Sequence, residues 1–303
     1  FYFCCIIHLM GIPITKTISP KEFAAAIGSS ESSLKRWLDQ GVIPCTKTPG
    51  GHRRIEVNEA IKYVRASDLT LVQPQALGLP ISMGDIQKSQ KSQIIDFLQC
   101  LKEGNDNYAK QHLVNEFMNG KSLAEIFDGT IKKGLGFLGQ IHEEDAESIF
   151  LEHRATQICI SCINFLSQYL SSSNTAFNAI SCSLEGDIYI LPSLGTSVVI
   201  MENAGNCINI GPHTPISVIK QTVKNSRMKI NLVCISINDV IDVKQTNQDL
   251  ISLSNILNAL EIELVIGGRS SDKINLSELK EVSHFNDMRQ LDEYLKCKFR
   301  TSK

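Results

Sequence analysis

The chain has 303 residues, 43% hydrophobic and 20% charged, with a formal net charge of −2. That is the composition of an ordinary soluble globular protein, long enough for about two or three domains with ample core, and it excludes a disordered or fibrous chain. The ten cysteines are scattered at 4, 5, 45, 100, 159, 162, 182, 207, 234 and 297, which points to a reducing cytoplasm. The one C-x-x-C, Cys159 and Cys162, falls in an apolar helical run with no second pair, so it reads as core packing and no metal site is expected.

The chain opens with FYFCCIIHLM, which has no initial Met, no basic leader and no small-residue cleavage site. Pro13 follows too soon for a bilayer span. Residues 1–12 are expected to be a leader or an extension outside the fold, with Met10 a plausible start.

Residues 13–67 predict a small helical module. Ser19-Pro20 caps a helix whose buried face is Phe23, Ala24 and Ile27, and Gly28 ends it in the left-handed conformation. Ser30 caps a second helix with Leu34, Trp37 and Leu38 on one stripe. Ser32, Ser33, Lys35 and Arg36 are left on the opposite side, and a short helix with small polar and basic residues after a tight turn suits a major groove. An extended segment with a Gly50-Gly51 hairpin tip and a third helix follow. Residues 16–66 carry nine Lys/Arg against five Asp/Glu, a net of +4, which leaves −6 for the rest of the chain. A basic module on an acidic body fits a DNA-binding head with a regulatory part.

Trp37, Gly41-Val42-Ile43-Pro44 and the run Pro49-Gly50-Gly51-His52-Arg53-Arg54 resemble the winged helix-turn-helix of MerR-type transcription regulators. The resemblance implies that the Ser30–Gln40 helix is the recognition helix and the hairpin a wing against the phosphate backbone. Arg36, Arg53 and Arg54 stand where the family has backbone-contacting cations; on the helix face, Ser32, Ser33 and Lys35 are expected at base edges, and His52 is a further expected DNA-binding residue. Ile55 departs from the Tyr common at its position.

Residues 68–82, with Pro74, Gly78 and Pro80, read as a linker. Residues 83–172 read as a four-helix bundle. Its helices are one with Ile94, Phe97, Leu98 and Leu101, one over Tyr108–Met118, one capped by Ser122 and running past Leu138, and one over Glu144–Leu170. Residues 175–300 alternate strand and helix: strands at Phe177–Ser183, Asn206–Ile210, Ile230–Ile237 and Ile262–Ile266, and helices at Leu191–Asn203, 216–225, Gln248–Leu260 and Met288–Lys296. That alternation predicts a doubly wound, flavodoxin-like parallel sheet. Ligands of such sheets sit beyond the carboxyl ends of the strands, here Glu185–Pro192, Gly211–Pro215, Ser236–Asp239 and Gly267–Ser270.

A four-helix bundle and such a sheet behind a MerR-type head resemble the cobalamin-dependent, light-responsive repressors, and the bundle is similar to the cap of methionine synthase-like proteins. Glu152-His153 matches the Glu-His pair of that cap, Asp128 and Gly139 fit its preceding helix, and Gly211-x-x-Thr214-Pro215 and Gly267-Gly268-Arg269 match loops of the sheet. The resemblance implies a cobalamin loop, Asp-x-His-x-x-Gly, whose His binds cobalt while the Asp holds its other N–H. Here the loop is Asp187-Ile188-Tyr189-Ile190-Leu191-Pro192, so Tyr189 stands at the His position and Pro192 at the Gly. A neutral phenol is a poor cobalt ligand. The cap's Trp becomes His142, and a Ser-x-Leu becomes Ser236-Ile237-Asn238.

The expected function is a DNA-binding transcriptional regulator, leaning to repression, with no catalytic site. Its C-terminal cap and sheet would sense a ligand or join subunits. The partners are double-stranded DNA and further copies of the chain, with no membrane. Cobalamin is a possible cofactor, with Glu152, His153, Asp187, Tyr189, Ser236, Gly267 and Gly268 as the pocket residues. Two alternatives stand beside it. One is a corrinoid-dependent methyltransferase- or isomerase-type carrier protein, and the other an excisionase-like architectural DNA binder.

Overall fold

The computed structural model describes residues 16–67, 69–80, 90–141, 146–170 and 175–299. The expected leader at 1–12 and His142 lie outside the described residues. The chain divides at Met83–Gly84 into two compact units.

In the first unit, β1 (Thr17–Ile18) leads into α1 (Pro20–Ala26), α2 (Glu31–Asp39), β2 (Thr46–Lys47), β3 (Arg53–Glu56) and α3 (Val57–Ala66). Ser19 makes a full capping box on α1: the Glu22 N–H donates to Ser19 Oγ at 3.2 Å and the Ser19 N–H to Glu22 Oε2 at 2.7 Å. Gly28 has φ +64°, and Ser30 caps α2 through the Ser33 N–H. The three strands pair antiparallel in the order β1-β3-β2. Phe23, Leu34, Ile43, Ile55, Ile61 and Leu77 are fully buried. Ile55, where the MerR pattern favours Tyr, is thus a core residue.

The segment expected to be a linker differs. Pro74–Leu77 forms a 3-10 turn, Leu77 and Leu79 are buried, and the Val72 and Gln73 N–H groups both donate to Ala26 O. Residues 69–80 therefore complete the head. Short periodic signals hide such a segment, because each apolar residue in it points into the core from a different turn.

In the second unit, α4 (Gln90–Glu103), α5 (Asp106–Met118), α6 (Leu123–Ile126), α7 (Lys132–Ile141) and α8 (Ala146–Ser167) form the bundle. The helix expected to run from Ser122 past Leu138 is continuous over Leu123–Ile141, with a π turn at Phe127–Ile131 inside it. The rest is β4 (Phe177–Leu184), α9 (Ile190–Glu202), β5 (Gly205–Thr214), α10 (Ile216–Asn225), β6 (Leu232–Ser236), α11 (Val243–Ala259), β7 (Glu263–Gly267), β8 (Val282–Phe285) and α12 (Met288–Phe299). The sheet is five-stranded, in the order β5-β4-β6-β7-β8, and every pairing is parallel. That is the doubly wound order of flavodoxin-like folds. The fifth strand, β8, was not expected from the sequence.

The two faces of the sheet differ in chemistry. Ile180, Cys182 and Leu184 of β4 and Val233 and Ile235 of β6 pack with Ile219, Leu250, Leu253 and Leu257 of α10 and α11. By alternation, Ser181 and Ser183 of β4 and Ser236 of β6 turn to the opposite face, the side of α9 and α12. Two carboxylates cap helices across the boundary between bundle and sheet. Asp128 Oδ2 accepts from the Arg289 N–H at the start of α12 (3.0 Å), and Glu202 Oε2 at the end of α9 accepts from the Leu123 N–H at the start of α6 (2.7 Å). Cys159 and Cys162 are buried in α8 as free thiols, and burial pushes Cys162 up to about 12, as expected of core residues. Among the described residues no helix is long and apolar enough to cross a membrane.

Candidate functional sites: the head surface and the rim of the sheet

On the head, the exposed side of α2 carries the four expected residues, but three of them are engaged. Ser30 Oγ lies 2.9 Å from Ser32 Oγ and donates to Ser33 Oγ at 2.8 Å, so these hydroxyls belong to the N-cap. Lys35 pairs with Glu31 one turn back at 2.7 Å. Arg36 is exposed and forms no ion pair among the described residues.

Arg53 and Arg54 are adjacent on β3, opposite Lys47 and Thr46 of β2, so their side chains leave opposite faces of the strand. Arg53 turns to α2 and donates from Nε and Nη2 to Asp39 Oδ1 at 3.1 and 2.6 Å. Arg54 lies toward α1, where its charge helps hold Glu22 below the usual carboxylate range, behind the larger effect of the Ser19 N–H. The two arginines do not present one joint cationic surface. His52 is exposed at the tip, where the Thr48 and His52 backbones close the turn and Gly51 takes φ +78°.

At the carboxyl rim of the sheet, the loop after β4 is tied down from three sides. Asp187 is fully buried. Its Oδ1 accepts from the Tyr189 N–H at 3.1 Å, and its Oδ2 from the Asn238 N–H at 2.6 Å and Asn238 Nδ2 at 3.1 Å. The Gly186 N–H donates to His213 Nδ1 at 2.9 Å, and the His213 N–H to Asp187 O at 2.8 Å. His213, which has φ +52°, thus ties the loop after β5 to the loop after β4. Tyr189 is 40% exposed, and the Arg269 guanidinium lies over its ring, 4.5 Å from the centroid. Ile188 and Ile241 are the most exposed apolar residues of this rim.

The remaining expected pocket residues divide. Ser236 is buried and pairs in register with Ser183, whose Oγ is buried without a hydrogen-bond partner among the described residues. Gly267 and Gly268 serve backbone approach. A Cβ at Gly267 would come within 2.8 Å of Phe285 O, and one at Gly268, where φ is +104°, within 2.4 Å of Ile237 O. Neither glycine opens a ligand cradle. Glu152 and His153 are exposed on α8, and no hydrogen bond or ion pair ties them to the rim among the described residues. Asn238 and Arg269 hold the site together; both lie in the expected rim segments but not among the expected pocket residues. The only sequence signal for Asn238 was the amide in place of Leu in the Ser236-Ile237-Asn238 triplet.

Tested against a cobalamin, the rim does not fit a cobalt bound by a protein ligand. The position is filled by a phenol under a guanidinium, and the carboxylate that would orient an imidazole already accepts three hydrogen bonds. Among the described residues of the rim, Ser183 Oγ is a buried polar atom without a hydrogen-bond partner.

No family model matches the chain, and no curated protein matches it in sequence. Its fold is similar to that of the monomethylamine corrinoid protein of Methanosarcina barkeri, at 14% identity, covering 68% of this chain and 98% of that one with a TM-score of 0.53. A structure of the methanol:cobalamin methyltransferase complex of the same organism matches at 14% identity over 90% of this chain and 94% of its own, with a TM-score of 0.36. A cobalamin-binding protein of Desulfitobacterium hafniense matches at 14% identity over 67% and 97%, with a TM-score of 0.32. At those scores the last two carry no further weight, and the first is a likeness of fold.

Proposed function

We propose that this chain joins a DNA-binding head, residues 16–80, to a unit of corrinoid-carrier type, residues 90–299, and acts as a transcriptional regulator rather than an enzyme. The fold comparison supports the corrinoid-carrier alternative better than it supports DNA binding, because the similar solved protein is a corrinoid protein and is silent on the head. The head reading rests on its own residues. They are the MerR-like run from Trp37 to Arg54, the net charge of +4 over residues 16–66, and a capped α2 beside a hairpin, with Arg36 and His52 exposed. We read that arrangement as a winged helix-turn-helix, its partner as double-stranded DNA, and its setting as a reducing cytoplasm. Further copies of the chain would assemble through the second unit.

The observation that carries the regulator over the methyl carrier is Tyr189 beneath Arg269. A carrier exchanging groups at cobalt needs an imidazole there, and a phenol does not supply it.

Two measurements test this. DNA affinity, taken between about 50 and 200 mM salt, is expected to fall steeply, and Arg36→Ala or Arg54→Ala to weaken all sequences alike and each reduce the log–log slope by about 0.9. Affinity indifferent to salt and to both substitutions removes the head assignment. Absorption titration with adenosylcobalamin, in the dark and after illumination, tests the second unit. Retained cobalamin in a protein that retains no DNA would establish the carrier alternative, which the fold likeness favours.

A further inference from the structure

Tyr189 is held by more than its own side chain. The Asp187 carboxylate takes the Tyr189 N–H on one oxygen and both Asn238 donors on the other. Asn238 O in turn accepts from Arg269 Nε at 2.9 Å and Ser270 Oγ at 3.0 Å, and the Arg269 guanidinium returns to the Tyr189 ring. Tyr189, Asp187, Asn238 and Arg269 therefore form a closed circuit. Gly268 makes it possible, since only a residue without Cβ lets the loop after β7 approach Ile237 closely enough to carry Arg269 to this place.

We infer that Asn238 and Arg269 are specificity-determining residues of the rim, which exclude a metal-coordinating macrocycle by locking the place of its axial ligand. The inference rests on the corrinoid-carrier reading of the second unit. An imidazole introduced at position 189 has to donate one N–H to Asp187 and turn its other nitrogen toward a metal. Asn238 fills Oδ2 of Asp187 with its backbone N–H and its side-chain amide, which leaves the imidazole N–H only Oδ1, already taken once by the Tyr189 N–H; removing the Asn238 amide frees one site of Oδ2. The guanidinium also covers the ring position and sets a positive charge where a cationic metal centre would approach. The obstruction is the circuit, and the absent imidazole is one part of it.

The test is a visible absorption titration with hydroxocobalamin of the full chain, of Tyr189→His, and of Tyr189→His combined with Asn238→Ala and Arg269→Ala. Gel filtration of each mixture reports retained cofactor separately from its coordination. The wild type and the single variant are expected to leave the cobalt spectrum unchanged. The triple variant is expected to show the shift of an imidazole-bound cobalt and to bind about tenfold or more tightly than the single one. A shift with Tyr189→His alone overturns the inference, because the missing imidazole is then the whole obstacle. Cofactor retained unshifted by all three upholds the corrinoid reading and overturns the inference. Retention by none overturns both. Should the triple variant fail to fold, Tyr189→His with Arg269→Ala is titrated under the same criteria, since Arg269 covers the ring directly.

Discussion

Asp39 and Asp128 are single carboxylates with opposite consequences. Asp39 is half-exposed and takes the charge of Arg53 at the end of α2. A surface pair of this kind contributes about 0.2–1 kcal/mol, so Asp39→Ala is expected to lower thermal stability little. It frees a guanidinium, and the expected result is tighter DNA binding with a log–log salt slope steeper by about 0.9. Weaker binding in the same titration would show instead that Asp39 positions the hairpin. Asp128 is buried, and its carboxyl is raised by desolvation, against the lowering effect of the Met288 and Arg289 N–H groups. The folded state therefore holds this proton more tightly than the unfolded chain does. The proton-linked part of the Asp128 contribution to stability is fully present below its ordinary value of 3.8 and is lost as pH rises through the folded value, while its acceptor role at the start of α12 remains. Asp128→Asn, which keeps an acceptor for the α12 N-terminus, is expected to remove that pH dependence in denaturant titrations, while Asp128→Ala costs about 1–3 kcal/mol near neutrality. At this scale the sequence was only partly legible. Residue types named Arg53 and Arg54 as cations, but Asp39 lies fourteen residues away, and only the fold brings it to Arg53.

Elements were more legible than contacts. Caps and breaks marked their own positions: Ser19-Pro20, Ser30, Ser122 and Gly28 all stand where helices begin or end, and α10 runs over the expected 216–225. The misses have physical causes. β8 has only four residues at a sheet edge and no long apolar run to announce it. The π turn at Phe127–Ile131 lies inside a sequence that is helical throughout, because a π turn changes the hydrogen-bond step without needing a breaker. Within it Phe127 packs against α9, where a Cβ on Gly195 would come within 2.4 Å of the Phe127 ring. Gly195→Ala is expected to cost about 1–3 kcal/mol, read as a shift in the denaturant midpoint, because the ring has to move in a filled interior. Gly268→Ala is expected to cost more. Its obstacle is the Ile237 backbone rather than a side chain, and its φ of +104° disfavours any L-residue. A Gly195→Ala protein as stable as the wild type would mean that Phe127 turns away without loss.

The two units each carry their own buried core, and that decides how the whole molecule should unfold. In the head, Phe23, Leu34, Ile43, Ile55, Ile61 and Leu77 are buried within residues 16–80. In the second unit the sheet core and the bundle share one unit, with Asp128 and Glu202 capping helices across their boundary. Bundle and sheet should therefore melt together, although the sequence read them as separate domains. Small domains bury a smaller fraction of their surface than large ones, so the head is the less stable partner. Calorimetry of the full chain is expected to show two transitions, the head first, and a fragment beginning at Gly84 to keep only the second at an unchanged temperature. Ligands then assign function to each transition, because whatever binds only the folded form raises the melting of the unit that binds it. Duplex DNA should move the first transition alone, and a corrinoid, if retained, the second alone. A single transition that shifts as one with either ligand would mean that the units are coupled. That coupling is what a regulator needs if a ligand on the second unit is to change DNA affinity in the head. Two transitions that each answer only to their own ligand would instead describe a carrier unit tethered to a DNA-binding one.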